Sequence, residues 1–392
     1  MKSWKFGHGA HLSPPWDDLT PIRAELFSVE RLEEHARSLA IAQTVGAQRL
    51  KNLSLAERLS ENEALLVAAY RDVCTALAAG TAITPAAEWL VDNFHLVEEQ
   101  IRRIPGDLPR EYYKQLPQLN AGPFSGYPRV LGIAWAFVAH TDSLFDPEIL
   151  RRYLRAYQSV QPLTIGELWA VAITLRIVLI ENLGRIAQRL IDSHAGRRSA
   201  DALADRLLGS EERLKEAPEE VLRNLPATHF SDAFLVQLVR RLHDQDPSIS
   251  LALEWLGAQL TRRATTSDAV VRDEQQRQVA GSITVRNIIT SLRLITDVDW
   301  TVQFEHVSLV DDVFSKDSNY RSMDFPTRNL YRTAVEQLAR GSKLTELEVV
   351  SMAATNCARW RRKSVPVWLR EKGCMSPCEL WCRTHRGVRS VA

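Results

Sequence analysis

The sequence predicts an all-α fold, a multi-helix bundle of two lobes with an irregular C-terminal tail. Apolar residues recur along most of the chain at alternating spacings of three and four, the period of an amphipathic helix. Helix-starting and helix-ending residues flank many of these segments. Only residues 300 to 304 (WTVQF) alternate as a strand would, and they are few enough to be an extended piece beside a helix.

Composition indicates an ordinary globular protein. Of the 392 residues, 45% are hydrophobic and 25% are charged, which suits one large or two medium domains. Five unevenly spread cysteines do not suggest a disulfide framework, so a reducing compartment is expected. The first residues, MKSWKFGHGAHLSPPW, do not resemble a signal peptide. We therefore expect a cytoplasmic location.

Two helices are predicted near the start of the first lobe. Ser60 and Glu63 have the spacing of a capping box, and Gly80 is a typical helix end. Residues 85 to 104 then repeat apolar side chains on one face and predict an amphipathic helix. Its other face carries acid–arginine pairs at i,i+4 spacing, Glu98 with Arg102 and Glu99 with Arg103.

Further along the chain, caps and apolar periodicity predict several more helices. The caps are Asp146 before Pro147, Thr164 with Glu167, and Thr345 with Glu348. The periodic apolar positions are Ile249, Leu253, Leu256 and Leu260, then Val285, Ile288, Ile289, Leu292 and Ile295. Residues 120 to 128 (NAGPFSGYP) hold two Gly and two Pro and predict a turn-rich connection.

The segment from residue 165 to 183 is apolar on nearly every side. A membrane span is one interpretation, but Arg176 near its middle would cost about 2.5 to 3.5 kcal/mol to insert. Glu167 and Glu181 also bound an apolar stretch shorter than the roughly 20 residues that a bilayer requires. We therefore predict a central buried helix and no membrane span.

The domain division follows changes in composition. Residues 191 to 226 are highly charged and poor in large apolar side chains, as in a linker or in peripheral helices. Residues 359 to 392 contain 9 Lys and Arg against 2 Asp and Glu, so the tail is basic. Residues 1 to 358 contain 40 Lys and Arg against 46 Asp and Glu, so the body is mildly acidic. The predicted parts are an N-terminal arm (1–27), helical lobe 1 (28–190), the charged linker or peripheral helices (191–226), helical lobe 2 (227–352) and a basic Cys/Trp tail (353–392).

An acidic stripe lies in PAAEWLVDNFHLVEEQIRR, residues 85 to 103. Its members are Glu88, Asp92, His95 and Glu99, with Trp89 beside them. On one helix they share a face, so a carboxylate–histidine metal site is conceivable, but a solvated or arginine-paired face explains the pattern better. Asp92 and Glu99 as a glycosidase pair would lie about 10 Å apart, beyond the roughly 5 to 9.5 Å that glycoside hydrolysis uses. A docking surface is the preferred function of this face.

Three other patterns have a functional and a structural interpretation. An aromatic group suits sugar stacking, although aromatic residues at helical spacing usually form core. His140, Thr141 and Asp142 place an imidazole beside a carboxylate, but cap and turn roles explain them. Asp297-Val298-Asp299 matches the D-x-D triplet of glycosyltransferases, but it follows a helical pattern and favours a capping turn. The aromatic group is Tyr112, Tyr113, Phe124, Tyr127 and Trp135.

The tail carries two candidate binding groups. One is the cluster Cys374, Cys378, Cys382 and His385, whose residue types suit zinc but whose spacing resembles one helical face. The other is the basic group Arg359, Arg361, Arg362 and Lys363 around Trp360, which suits nucleic acid or anionic lipid. Neither is specific enough to assign, so we predict no metal site and no nucleic-acid partner.

Several long motifs resemble the N-terminal region of bacterial cyclic β-1,2-glucan synthases. They occur in order between about residues 16 and 350. The most specific are PAAEWLVDNFHLVEEQIRRI, LPREYYKQLPQL, GYPRVLGIAWAFVAHTDSLFDPEIL, RAYQSVQPLTIGELWAVAITLRIVLIENLGRIA and MDFPTRNLYRTAVEQLARGS.

The resemblance implies a cytoplasmic helical module, associated with the inner membrane through a larger enzyme. That enzyme combines membrane-spanning segments, a glucosyltransferase domain that uses UDP-glucose and a divalent metal, and a phosphorylase-like module. Expected partners are the transferase and membrane domains, with β-1,2-glucan as a further one. The resemblance assigns no catalytic, cofactor-binding or metal-binding residue in this chain.

The family pattern ends near Ala353. Four of the five cysteines and three of the ten tryptophans lie in the last 36 residues, an abrupt change of composition. We interpret the chain as a truncated or frameshifted N-terminal piece, regulatory or scaffolding and inactive alone. The alternative is an independent helical binding module whose tail holds zinc or anions.

Overall fold

The computed structural model describes residues 15–46, 55–208, 217–225, 230–242 and 250–362. Within these ranges it contains seventeen helices and one two-stranded sheet, so the all-α prediction is confirmed. The first helices are α1 Val29–Ala42, α2 Leu55–Ala78, α3 Pro85–Asp92, α4 Phe94–Asp107, α5 Arg110–Gln115, α6 Arg129–His140, α7 Pro147–Gln158 and α8 Ile165–Leu208. The others are α9 Pro218–Arg223, α10 Asp232–Leu242, α11 Ser250–Arg262, α12 Ser267–Asp297, α13 Trp300–Val307, α14 Leu309–Phe314, α15 Ser318–Arg321, α16 Phe325–Arg340 and α17 Glu346–Arg362.

The sheet is a small antiparallel pairing of two loops. Strand β1, Val45–Gly46, pairs with β2, Gln118–Leu119, with Val45 opposite Leu119. The β2 strand enters the turn-rich connection predicted at residues 120 to 128, where Gly122 and Gly126 have positive φ angles of 83° and 81°. That prediction is confirmed.

Helix α8 is the centre of the fold. Between Ile165 and Ala187 almost all of its side chains are buried, and α2, α4, α6 and α12 pack around this half. The Arg176 side chain is only 11% exposed, and its Nη1 donates to Asp107 at 2.9 Å. No helix in the described ranges has the length and apolar character to cross a bilayer. The predicted buried central helix is confirmed.

Two hydrophobic clusters group the helices differently from the predicted lobes. The larger joins residues 16–187 with residues 285–350, and the smaller joins the second half of α8 with α9, α10, α11 and the start of α12. Helix α8 crosses residue 190 without a break, and α12 contributes to both clusters. The domain boundaries at 190 and 227 remain a prediction, but these two helices tie the clusters together.

Most of the predicted helix signals are confirmed. Asp146 accepts hydrogen bonds from the N–H groups of Glu148 and Ile149, and Thr164 with Glu167 forms a reciprocal capping box. Thr345 with Glu348 forms another. Gly80 lies just beyond the end of α2 with a φ of 69°. Of the predicted apolar positions in α11 and α12, seven are buried: Leu256, Leu260, Val285, Ile288, Ile289, Leu292 and Ile295. Leu253 is 45% exposed and Ile249 lies outside the described residues.

Three local predictions are wrong, and the start of the tail stays a prediction. Ser60 lies inside α2, because the buried stripe of that helix begins already at Leu55. Residues 85 to 104 are two helices, since Asn93 ends α3 and begins α4. Residues 300 to 304 are helical, because Asp299 caps α13 and Phe304 is buried. Helix α17 continues to Arg362, past the predicted start of the tail at residue 353, and residues 363–392 lie outside the described residues.

The break at Asn93 has a local cause. The Asn93 side chain donates to the carbonyl of Trp89 at 3.0 Å, and its oxygen accepts from Arg293 on α12 at 3.1 Å. An asparagine that bonds the backbone in this way competes with the helical hydrogen-bond pattern. The chain therefore bends where α3 and α4 pack on α12.

A buried carboxylate joins α2 to α8. Glu181 on α8 is 1% exposed and accepts from Arg58 and Asn62 on α2, and from Arg185 one turn later, at 2.7 to 2.8 Å. Burial alone would raise the pKa of Glu181, but the two arginines and Asn62 outweigh it and hold that pKa below its ordinary value. Gly184 allows this approach, since a Cβ there would meet Asn62 Oδ1 at 2.4 Å.

The N-terminal arm is fixed by the same part of α8. The side chain of Asn182 accepts from Ile22 N–H at 2.6 Å, and Arg185 donates to the carbonyls of Pro15 and Thr20. Trp16 donates to the Tyr127 hydroxyl at 2.7 Å. Buried polar side chains of α8 thus supply the partners that the irregular backbone of the arm requires.

We predict that replacing Glu181 with alanine destabilises the protein strongly. The change leaves Arg58 and Arg185 without their shared carboxylate, and removing one partner of a buried ion pair costs about 3 to 5 kcal/mol. Urea unfolding measures the loss in the free energy of unfolding. The matched control is Glu61→Ala, because Glu61 binds the same Arg58 at 2.8 Å but is 53% exposed, and surface pairs contribute roughly 0 to 1 kcal/mol. Equal losses for both variants would contradict the prediction.

Candidate functional site

The acidic stripe is divided between two helices. Glu88 and Asp92 lie on α3, whereas His95 and Glu99 lie on α4 after the break at Asn93. Glu99 pairs with Arg103 at 2.5 Å, as the i,i+4 spacing predicted. In the part of the chain that the structure describes, no three His, Cys, Asp or Glu side chains are grouped so that they could hold a metal ion. The separation of about 10 Å between Asp92 and Glu99 was estimated for a single helix, so it does not hold for residues on two helices.

The aromatic residues proposed as a sugar platform are mostly core. Phe124, Tyr127 and Trp135 are 7%, 3% and 9% exposed, and Trp16 packs edge-on against both Tyr127 and Trp135. The half-buried Tyr112 donates its hydroxyl to the carbonyl of Gly166 at the start of α8. The core interpretation that the sequence favoured is therefore confirmed for Phe124, Tyr127 and Trp135, which are buried in the structure.

His140 and Asp142 have separate structural roles. The His140 ring stacks on Phe27 with centroids 3.9 Å apart, and its Nδ1 donates to the carbonyl of Glu25 at 2.8 Å. Asp142 is 4% exposed, has a φ of 49° and accepts from Thr284 Oγ1 on α12 at 2.7 Å. The cap and turn interpretation is confirmed.

The D-x-D triplet is a turn between two helices. Asp297 is the last residue of α12, and Val298 is its C-cap. Asp299 caps α13 by accepting from the N–H groups of Thr301 and Val302 at 2.9 and 3.4 Å. The capping interpretation is confirmed.

Both tail predictions fall on residues that the structure does not describe. Cys374, Cys378, Cys382, His385 and Lys363 lie outside the described residues. The side chains of the remaining basic cluster, Arg359, Trp360, Arg361 and Arg362, are likewise not described. The zinc and anion hypotheses for the tail therefore stay predictions.

The start of α8 gathers acidic side chains that the sequence did not bring together. Glu346, in the first turn of α17, accepts from the N–H of Ile165 at 2.7 Å. Glu167 is fully buried and pairs with Arg129, whose Nε donates at 2.7 Å. This arrangement joins α6, α8 and α17. Only the Thr164–Glu167 capping box gave a sequence signal, since the other partners are distant in the chain.

Glu346 has an unusual proton affinity. Burial, reinforced by the nearby carboxylates of Glu336 and Glu167, raises its pKa to about 7, while the hydrogen bond from the Ile165 N–H and, to a smaller extent, Arg340 oppose the shift. Arg340 is itself bonded to Glu336 at 2.6 Å, which limits its effect on Glu346. The contact between α17 and α8 therefore includes a carboxyl group that titrates near neutral pH.

A histidine cluster lies where α1 meets the end of α6. His35 packs edge-on against Phe27, and the rings of His35 and His140 are 4.6 Å apart. Burial, with a smaller contribution from His140, lowers the pKa of His35 to about 4. His35 is therefore neutral in the folded protein at any pH well above that value.

The described part of the chain has concave places on its surface, of which two are relevant to binding. A groove of about 370 Å³ lies between the N-terminal arm and α12 and is lined by Arg23, Arg272, Gln275, Gln276, Val279, Ala280 and Ile283. A narrower cleft lies between α7, α8 and α13, where Trp169 stacks on Phe304 with centroids 4.3 Å apart. The buried polar groups described above hold helices together, so we regard the arm–α12 groove as the candidate contact site.

We predict that Glu346 makes the folded state less stable as pH rises. Because its folded pKa of about 7 exceeds its ordinary value of 4.5, the folded state retains a proton that the unfolded chain has lost. Its contribution is complete below about pH 4.5 and is lost as pH rises through 7. We expect the Glu346→Gln variant to lose this decrease of stability with rising pH, measured as the melting temperature at each pH. The Glu348→Gln variant, which changes an exposed neighbouring residue, should retain it. A slope unchanged in Glu346→Gln would contradict the assignment.

His35 should act in the opposite direction. The unfolded chain binds a proton below the ordinary histidine pKa of 6.5, but the folded protein does so only near 4, so this contribution to stability is lost as pH falls between these values. We expect His35→Gln to show a smaller loss of melting temperature than the wild type between pH 6.5 and 4.5. The control is His95→Gln, because His95 is exposed on α4. A similar change in both variants would refute the prediction.

Comparison with known proteins relates the sequence of this chain to a curated protein. No family model matches the chain. Over 332 residues it is 39% identical to the cyclic beta-(1,2)-glucan synthase NdvB of Rhizobium meliloti (strain 1021), a match that includes 85% of this chain. The chain spans only 12% of the length of that relative. The resemblance predicted from the motifs is confirmed: the chain is similar to a segment of a curated cyclic beta-(1,2)-glucan synthase.

Proposed function

We propose that this chain is a helical scaffolding or regulatory module for the synthesis of cyclic β-1,2-glucan and is inactive alone. The observation that carries the proposal is the 39% identity to a glucan synthase over 85% of the chain. The described helices use their buried charges on one another, as in the pairs of Glu181 with Arg58 and Glu167 with Arg129. Such groups stabilise a rigid body on which another domain can dock.

The partners proposed for this module are the transferase and membrane domains of a glucan synthase. In this proposal, UDP-glucose and a divalent metal bind the transferase domain, while the helical module packs beside it at the cytoplasmic side of the inner membrane. β-1,2-Glucan is a further proposed partner. Support comes from the sequence similarity and from the presence of an open groove on α12.

The test is a glucan-synthesis assay with radiolabelled UDP-glucose and Mg²⁺. We expect the purified chain alone to give no labelled β-1,2-glucan. Added to membranes containing a glucan synthase that lacks the corresponding helical region, it should raise the labelled glucan severalfold. The Glu181→Ala variant, with its destabilised core, should give less stimulation. Membranes with the intact synthase provide the positive control.

Either half of the proposal can fail in this assay. Labelled glucan from the purified chain alone would contradict inactivity, and the absence of any stimulation would contradict a scaffolding or regulatory role. The alternative, an independent module with a zinc-binding tail, is tested by metal analysis of the purified chain. About one zinc ion per chain would support that alternative, and none would remove it.

A further inference from the structure

The middle of α12 has an unusual charge pattern. Between residues 275 and 296 the helix contains Arg277, Arg286 and Arg293 but no Asp or Glu. The acidic residues of α12 lie near its ends, at Asp268, Asp273, Glu274 and Asp297. This stretch is therefore cationic, although residues 1 to 358 as a whole are slightly acidic, with 40 Lys and Arg against 46 Asp and Glu.

The exposed face of α12 follows a regular repeat. Its positions occur at alternating spacings of three and four, the repeat by which one helix packs along another. Val279 is 61% exposed and Ile283 is 41% exposed, at the centre of the row. The opposite face is buried, including Val285, Ile288 and Leu292. The exposed row, which we call the α12 seam, is Arg272, Gln276, Val279, Ile283, Arg286, Thr290 and Arg293.

The N-terminal arm forms one wall beside the α12 seam. Arg23 borders the 370 Å³ groove together with Arg272 and Ile283. Its position is fixed by Asp142, which lies 3.4 Å from Arg23 Nε and also accepts from Thr284 on α12. The groove therefore makes one flank of the seam concave. Along the helix, Arg272 and Arg286 lie before and after the apolar centre.

In the part of the chain that the structure describes, no ion pair neutralises the charges of the arginines in the α12 seam. Within the described ranges, neither Arg272 nor Arg286 forms an ion pair, and Arg293 bonds the neutral side chain of Asn93. Two acidic side chains beside this face are engaged elsewhere, since Asp142 Oδ1 lies 3.4 Å from Arg23 Nε and Glu274 Oε2 lies 3.4 Å from Arg277 Nη2. A partner that supplies carboxylates would therefore complete ion pairs without breaking any.

We propose that the α12 seam is a docking site for an acidic amphipathic helix from another polypeptide. From Arg272 to Arg293 the seam is about 32 Å long, at 1.5 Å per residue, which corresponds to about three heptads of a partner helix. The partner's apolar side chains would cover Val279 and Ile283, and its carboxylates would face the arginines. This inference concerns the surface alone and holds whether or not the proposed role in glucan synthesis is correct.

Other occupants fit the α12 seam less well. In an antiparallel pairing of two copies centred on Ile283, Arg272 would face Arg293 of the other copy, and these like charges repel. Residues 359 to 392 of this chain are basic, with 9 Lys and Arg against 2 Asp and Glu. A flat anionic membrane suits a convex helix with a broad apolar face and aromatic side chains, whereas the seam is concave on one side and aliphatic only at its centre.

A synthetic peptide tests the proposal directly. The probe is a fluorescein-labelled helix of three heptads with leucine at the a and d positions, glutamate at e and g, and alanine elsewhere. Fluorescence anisotropy with the full chain at 0.15 M salt, about the physiological ionic strength, measures its binding. We expect a scrambled peptide of the same composition to bind at least tenfold more weakly. Two variants, Arg272→Glu/Arg286→Glu and Ile283→Asp, should each weaken binding of the ordered peptide at least tenfold.

The matched control changes the same charge elsewhere. The Arg102→Glu/Arg321→Glu variant alters two exposed arginines outside the α12 seam and should bind the peptide within twofold of the wild type. Circular dichroism and melting temperature confirm that each variant is folded. Equal binding of the scrambled peptide, or equal loss in the control variant, would overturn the proposal. Binding to phosphatidylglycerol vesicles, or self-association, that the seam variants abolish while peptide binding persists would also overturn it.

Discussion

The structure depends on the need to enclose the first half of helix α8 on every side. From Ile165 to Ala187 this helix has no solvent face, so its apolar surface must be covered by other helices. Helices α2, α4, α6 and α12 supply that cover, and the N-terminal arm lies across the region around Asn182. Burial of this one helix therefore brings together residues from both ends of the chain.

Charged groups inside this enclosure decide how the surrounding helices are oriented. Glu167 pairs with Arg129, Glu181 pairs with Arg58 and Arg185, and the fully buried Arg332 pairs with Asp311. A buried ion pair adds little net stability compared with apolar packing, but breaking it is costly. Each pair therefore disfavours alternative packings in which a carboxylate or guanidinium would be buried alone.

The same arrangement separates the interior of the protein from its surface. Inside, polar groups are mostly satisfied by one another, and Glu346 and His35 are carboxyl and imidazole groups whose proton affinities are set by burial. On the surface, the α12 seam presents aliphatic side chains and arginines, of which Arg272 and Arg286 form no ion pair within the described ranges and Arg293 bonds Asn93.

The sequence by itself determined the helical class, the buried nature of α8 and most helix caps, because these depend on local periodicity and on bonds between neighbours such as Thr164 and Glu167. It also carried the family resemblance. The tertiary structure decided how the chain bends at Asn93, where the local bond to Trp89 is joined by one from Arg293 on α12, and it decided that Phe304 of α13 is buried. It alone placed Glu346 at the start of α8 and Arg23 beside α12, because no periodic pattern links residues so far apart in the chain.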